Sequence, residues 1–315
     1  MHRLAFCSFA VVALVVVASA LLAPARANAA PASISSPPDN GGIHLPTDPL
    51  TDADFAALEM LHPRSVVVLS AQLGEVDPLG QVQEDPRLEE WLWQHREVQP
   101  IVRLWPVKSP EPPDQLADRI AALHRQYPWI SYFVPANEPD IEWGETSWQE
   151  IGSWTREVWE AVEQHPQIDR SHVRLLFPPF AQHSGLRPEQ VGYDAVRSSL
   201  ELYLNHGDGM AAHEYWDRDN VYLVEDQWPT WLRGRLRGIP FFVTECGRQP
   251  TPANGVADAD LGNELVRFAS RTQARVVDPF LLSSATGTFD AQALIDSSGV
   301  PRPALFGWAH RAPWS

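Results

Sequence analysis

Eight short apolar runs of strand type, separated by stretches of helical period, constrain this sequence more than any other feature. The runs are Gly42–Leu45, Ser65–Ser70, Pro100–Trp105, Ile130–Ala136, Val173–Phe177, Met210–Tyr215, Pro240–Thr244 and Val276–Leu282. Between them, apolar residues recur every three to four positions. Leu116, Ile120 and Leu123 share one helical face; so do Trp148, Ile151, Val158 and Val162, with Thr155 as the one polar intruder. Thr51, three residues before Asp54, has the spacing of a capping box ahead of Phe55, Leu58 and Leu61. Asp258 is placed to cap a helix carrying Leu261, Leu265 and Phe268. Wherever a helix can be assigned, it follows a strand. This βαβα order predicts parallel strands covered by helices, in a closed barrel or an open doubly wound sheet. No G-x-G-x-x-G follows the first run, where a dinucleotide-binding open sheet needs one. Eight units in one chain predict an α/β fold of the (β/α)8 TIM-barrel type, as a single domain over 43–315.

Two of the runs deliver a glutamate. Tyr132-Phe133-Val134-Pro135-Ala136 leads into Asn137-Glu138-Pro139, and Pro240-Phe241-Phe242-Val243-Thr244 leads into Glu245-Cys246-Gly247. In a barrel of parallel strands, both carboxylates reach the C-terminal rim, where such enzymes keep their chemistry. Two carboxylates so placed can break a glycosidic bond, one as acid and base and the other as nucleophile. The bland alternative is a pair of surface glutamates opening two loops.

These motifs resemble those of the clan A retaining glycoside hydrolases, the (β/α)8 enzymes that include cellulases, mannanases, xylosidases and endoglucosidases. The resemblance spans most of the chain as architecture and a few short motifs in particular. In that group an Asn-Glu pair ends the fourth strand, its Glu being the acid/base, and the nucleophile ends the seventh. The resemblance therefore implies Glu138 as acid/base, Glu245 as nucleophile and Asn137 as a partner of the sugar 2-hydroxyl. Ala212-His213-Glu214-Tyr215-Trp216 on the sixth strand extends it. Period-2 alternation sends His213 and Tyr215 to one side and Glu214 to the other. The resemblance implies that Tyr215 donates to the nucleophile and that His213 lines the sugar site. A satisfied core histidine beside a core tyrosine is the competing account.

Arg103 is a charge inside an apolar strand and requires a carboxylate partner. That partner is the nucleophile or another acid in the barrel; many clan members carry their arginine on the second strand, whereas Arg103 falls on the third. Trp105, Trp143 and Trp216 lie in or just after strand ends and are the candidate sugar platforms. The stretch Phe280-Leu281-Leu282-Ser283-Ser284 lacks the tryptophan that often ends the eighth strand in the clan. Asp140, Glu142 and Glu145 follow Glu138 and are expected to be solvated, with contacts to sugar hydroxyls as the alternative.

The chain opens Met1-His2-Arg3, runs apolar from Leu4 to Leu22 and reaches Ala25-Arg26-Ala27-Asn28-Ala29. This is the pattern of a signal peptide over 1–29, with an uncleaved anchor as the alternative. A Pro-, Ser- and Gly-rich leader over 30–42 follows. Loss of Arg3 and Arg26 would take 24 basic residues to 22 against 40 acidic ones, changing the net charge from −16 to −18. Lys108 is the only lysine. With no basic patch, nucleic acid and anionic membrane surfaces are poor partners. An oligo- or polysaccharide substrate fits better, and a secreted monomer is expected. Cys246 alone would remain after cleavage, so no intrachain disulfide can form; it reads as a packing residue rather than a nucleophile.

The leading expectation is a secreted retaining glycoside hydrolase that cleaves O-glycosidic bonds by double displacement, without cofactor or metal. A non-catalytic carbohydrate-binding protein on a degenerate barrel is the alternative. A metal-dependent hydrolase is less supported: no H-E-x-x-H is present, and His213-Glu214 is followed by Asp217 where a zinc helix needs histidine. No G-x-S-x-G elbow supports a serine esterase.

Overall fold

The apolar runs form strands because β-branched and aromatic residues fit a sheet buried on both faces. The computed structural model describes residues 40–75, 84–104, 109–181, 188–218, 220–249 and 251–310. Its strands are β1 (Ile43–His44), β2 (Ser65–Leu69), β3 (Gln99–Arg103), β4 (Tyr132–Val134), β5 (Arg174–Phe177), β6 (Gly209–Trp216), β7 (Phe241–Arg248) and β8 (Val276–Pro279). They form one parallel sheet in sequential order from β1 to β8. A parallel bridge between Gly41 and Val277 brings the first edge back to the last, so the sheet is a nearly closed barrel. At this seam Ser65 Oγ donates to Asp278 Oδ1 at 2.7 Å. A Cβ on Gly42 would stand 2.0 Å from that carboxylate, so the seam closes only over a glycine. Asn40 to Gly42, assigned to the leader by composition, thus belong to the barrel edge. The expected signal peptide and residues 30–39 lie outside the described residues.

The helices are α1 (Asp52–Leu61), α2 (Pro86–Gln94), α3 (Pro113–Gln126), α4 (Pro139–Glu142), α5 (Trp148–Gln164), α6 (Pro188–Ala195), α7 (Arg197–Asn205), α8 (Thr230–Arg233), α9 (Ala259–Ala269) and α10 (Pro303–Ala309). Thr51 and Asp54 form the expected capping box on α1, and Asp258 caps α9 by accepting from Leu261 N. Ser147 and Glu150 form a second box on α5. Thr155 is tolerated on the buried face of α5 because its hydroxyl bonds back to Ile151 O at 2.9 Å. None of the described helices is long and apolar enough to cross a membrane.

Alternation along the strands divides the core in two. Val67, Ile101, Tyr132, Val134, Leu176, Ala211, Phe242 and Val276 fill the barrel interior. Residues of the opposite parity, such as Val66, Val102, Phe133, Leu175 and Val243, pack outward against the helices. The interior plug stops below the C-terminal rim, leaving that end for polar side chains. The barrel is therefore a packed core with a site on top.

Strand limits moved at functional positions. β4 ends at Val134 rather than Ala136, and β7 runs on to Arg248 rather than stopping before Glu245. β7 continues because Glu245, Cys246, Gly247 and Arg248 pair with His213, Glu214, Tyr215 and Trp216. Arg248 anchors that extension through a two-pronged contact with buried Glu264, at 2.8 and 2.9 Å.

Candidate active site

A β-bulge sets the site. Ala212 pairs with Val243, but His213 pairs with Glu245, so Thr244 is the extra residue. In a regular strand without the bulge, alternation from inward-facing Phe242 would turn Glu245 outward. With it, Glu245 points inward beside His213, while Cys246 falls into the outer core as a buried free cysteine.

Both oxygens of Glu245 are engaged. Tyr215 Oη donates to Oε2 at 2.7 Å, and the Arg103 guanidinium donates to Oε1 in a buried ion pair. This settles the partner of Arg103, which also donates to Asn137 Oδ1 at 2.8 Å. Burial pushes the Glu245 carboxyl up, but His213 and Arg103, with the Tyr215 hydrogen bond, hold it down at about 2. Burial and the neighbouring Glu245 carboxylate push the Tyr215 phenol well above its ordinary range, so it remains a donor.

Glu138 arrives differently. It lies beyond β4 in the left-handed region, at φ 34 and ψ 56, as the N-cap of α4. Pro139 opens α4, which suits a ring with fixed φ and no N–H. A non-glycine residue in this conformation costs on the order of 1 kcal/mol, and such strain gathers at functional sites. The side chain is held by His213, whose Nδ1 lies 2.7 Å from Glu138 Oε1 and 3.5 Å from Glu245 Oε2. Burial pulls the His213 imidazole down, but Glu245 and Glu138 prevail and raise it above its ordinary value. His213 therefore bridges the two glutamates from beneath, with its charged form favoured more than in an ordinary imidazole. It is buried and does not line the cavity, unlike the sugar-lining role expected for it.

Asn137 is fixed at both ends of its amide, since Nδ2 donates to Glu142 Oε1 at 2.6 Å while Oδ1 accepts from Arg103. Glu142, expected to be solvated, is half-buried on the cavity wall, and burial raises its carboxyl. Asp140 instead accepts from Ala181 N at 3.0 Å, and Glu145 is exposed.

The cavity above these groups holds roughly 560 Å³, within the usual range for small-molecule sites. Phe280, just past β8, and Phe289 supply its aromatic wall, with ring centroids 5.2 Å apart. Thr47, Gln249, Thr251 and Gln292 add neutral polar groups. His44 at the end of β1 also faces in.

Two of the three tryptophans expected as platforms are buried away from the cavity. Trp216 is fully buried, stacked on Phe268 with Nε1 donating to Glu264 at 2.8 Å. It sits one residue after Tyr215, so alternation turns it to the outer core. Trp143 is buried edge-on against Trp154 of α5. Trp105 lies outside the described residues.

Glu138, His213 and Glu245 offer one ligand atom each within 4.8 Å of one another, close enough to share a metal ion. Against that use, both oxygens of Glu245 are already taken by Arg103 and Tyr215. A cation there would have to displace one of them.

No family model matches the chain, and no curated protein sequence matches it. Solved structures do. A family 39 glycoside hydrolase from Bacteroides cellulosilyticus WH2 superposes at a TM-score of 0.58 and 13% identity over 88% of this chain; the match spans 64% of that longer chain. A GH128 (subgroup II) endo-β-1,3-glucanase from Sorangium cellulosum gives 0.54 at 13% identity, over 88% of this chain and 100% of its own. An endo-β-1,4-glucanase from Xanthomonas axonopodis pv. citri, carrying a triple mutation, gives 0.53 at 15%, over 87% and 99%. Identities this low speak for the fold alone. The chain is a (β/α)8 barrel whose fold is shared by several distinct groups of glycoside hydrolases, with a buried acidic and histidine cluster consistent with a site of that kind.

Proposed function

We propose that this protein is a retaining glycoside hydrolase acting on neutral sugars through Glu138 and Glu245. The observation that carries the reading is the proximity of the two carboxylates, with an oxygen of each within 4.8 Å of the other. Retaining enzymes hold their two carboxyl groups about 5–5.5 Å apart, whereas inverting ones need about 6.5–9.5 Å to admit a water.

In the first step Glu245 attacks the anomeric carbon while Glu138 gives its proton to the departing oxygen. The glycosidic bond breaks, an ester to Glu245 forms, and the aglycone leaves as an alcohol. In the second step Glu138 takes a proton from water, whose oxygen displaces Glu245, releasing the sugar and restoring both carboxyl groups. Arg103 and Tyr215 keep Glu245 ionised and aimed. Asn137 is held between Arg103 and Glu142, and in this reading it meets the sugar 2-hydroxyl.

The cavity favours neutral glycans. Its wall carries three glutamates, and the one arginine on it is spent on Glu245 and Asn137. An acidic sugar would find no free cation among the described lining residues. The solved neighbours include glucanases of β-1,3 and β-1,4 type and xylanases, so β-glucans and xylan are the first substrates to try. In this reading the N-terminal apolar run is an export signal, and the enzyme works outside the cytoplasm as a monomer.

A screen of laminarin, mixed-linkage β-glucan, cello-oligosaccharides and xylan, run on the wild type and Glu245→Ala, tests the proposal. Turnover by the wild type and its loss in Glu245→Ala is expected. Binding without turnover by the wild type on every glycan would favour a sugar-binding protein instead.

A further inference from the structure

Among the described residues of the cavity wall, His44 is the one with a buried, unused hydrogen-bonding atom close to the nucleophile. It ends β1, is 1% exposed, and lines the cavity. The Phe280 ring meets it edge to face, with centroids 5.3 Å apart. Nδ1 lies 2.7 Å from Leu45 O. A carbonyl only accepts, so Nδ1 carries the hydrogen, and this bond assigns the tautomer.

The other nitrogen follows from that. Burial and the charge of Arg103 lower the imidazole to about 3, so His44 is neutral under ordinary conditions. Nε2 is then a bare lone pair. It has no hydrogen-bond partner, and Glu245 Oε1 lies 3.6 Å away. Two acceptors cannot satisfy one another, and Oε1 already accepts from Arg103. A buried acceptor left unmet is costly, and it persists where a ligand supplies the donor.

Resting on the proposed hydrolase reading, we infer that His44 is a specificity-determining residue whose Nε2 accepts a hydrogen bond from one hydroxyl of the sugar ring held against Glu245. A sugar hydroxyl is the donor of the right kind: neutral, and carried by the ring that the reaction holds against Glu245. A cationic donor is disfavoured by Arg103 next to it. The site would thus reject a ring that lacks this hydroxyl or carries it blocked, because the imidazole cannot turn to offer a donor without giving up Leu45 O.

The test uses the full chain and three probes, the 4-nitrophenyl β-glycosides of cellobiose, laminaribiose and xylobiose. The ring that bears nitrophenol is the one held against the nucleophile. For the probe with the highest turnover, the parent and the forms lacking one hydroxyl of that ring are compared in the wild type, His44→Phe and His44→Gln. His44→Phe keeps a ring against Phe280 but has no acceptor. We expect it to lose about tenfold in kcat/KM on the parent. It should also lose discrimination at one ring position only, where wild type and variant treat the deoxy sugar alike. His44→Gln, which retains an acceptor, should recover part of that discrimination. If His44→Phe does not fold, the imidazole 15N signals of the wild type, recorded with and without the parent probe, give the same answer through a shift of Nε2 on binding. Unaltered discrimination at every position in His44→Phe, or an unmoved Nε2 signal in the occupied wild type, would overturn the role of His44 alone. Neither turnover nor binding of any of the three probes by the wild type would overturn the hydrolase reading, and this inference with it.

Discussion

His213 on β6 stands directly opposite Glu245 on β7, one residue out of step with the Ala212–Val243 pair below it. That slip turns Glu245 inward and sets His213 Nδ1 between Glu245 and Glu138, at 3.5 and 2.7 Å. The cluster therefore depends on the bulge at Thr244 as much as on the identity of its acids.

The first prediction concerns the acidic limb of the pH profile. Glu245 is held at about 2 against the upward push of burial, and Tyr215 supplies part of that hold. The nucleophile must be ionised, so removing a donor raises the pH at which activity is lost on the acid side. Tyr215→Phe should move the acidic limb of kcat/KM upward by about one pH unit, as a charge-assisted hydrogen bond is worth ~1.5–3 kcal/mol. An unmoved limb with unchanged rate would make Tyr215 a packing residue.

The second concerns stability. His213 titrates higher in the folded chain than its ordinary 6.5, because the two glutamates favour its charged form. Its contribution is fully present below that ordinary value and is lost as pH rises through the folded value. His213→Asn should lower the melting temperature most on the acid side of neutrality and flatten the decline toward alkaline pH. Removing one partner of a buried pair costs about 3 kcal/mol or more, on the order of 5 °C or more in a chain of this size. Melting curves across pH for both proteins check this.

The third concerns metals. If Glu245 works as a nucleophile gripped by Arg103 and Tyr215, a metal on Glu138, His213 and Glu245 has no part in turnover. Activity should survive prolonged treatment with EDTA and gain nothing from added zinc or manganese. Loss on chelation, restored by one metal, would turn the reading toward a metal-dependent hydrolase.

The fourth separates the two glutamates. Glu138→Ala removes the proton donor, so it should retain activity on glycosides with good leaving groups and fall steeply on unactivated ones. Azide should then enter from the vacated side and give a β-glycosyl azide from a β-linked substrate. Glu245→Ala should lose nearly all turnover while still binding sugar, and azide should not yield a product of retained configuration. Equal loss on every substrate in Glu138→Ala would count against its acid role.

Much of the barrel can be read in the sequence because its strands are buried on both faces and stand out as apolar runs between turn signals. The ends of strands are harder. β7 reaches Arg248 only because it pairs with an extended β6, and register is a property of two strands that neither reveals alone. The bulge is hidden for the same reason. The outward place of Trp216 is legible in the sequence: the alternation that turns Tyr215 inward turns its neighbour outward. Trp143 follows the short helix α4, where neither period applies, and only the packing against Trp154 places it. His44 and Glu142 join the site through β1 and the short helix α4, and nothing near them in sequence marks them as neighbours of Glu245. Phe280 brings an aromatic ring to the cavity at the end of β8 without the tryptophan expected there.

The central claim is a double displacement between Glu138 and Glu245, and the configuration of the first product tests it most directly. Proton NMR of the anomeric signal, followed from the start of hydrolysis of the best substrate in the glycan screen, reads that configuration before mutarotation obscures it. Carboxylates this close predict that the newly released sugar first appears with the anomeric configuration of the bond that was cut. First appearance of the opposite anomer would mean direct attack by water and would contradict the assignment of Glu245 as nucleophile.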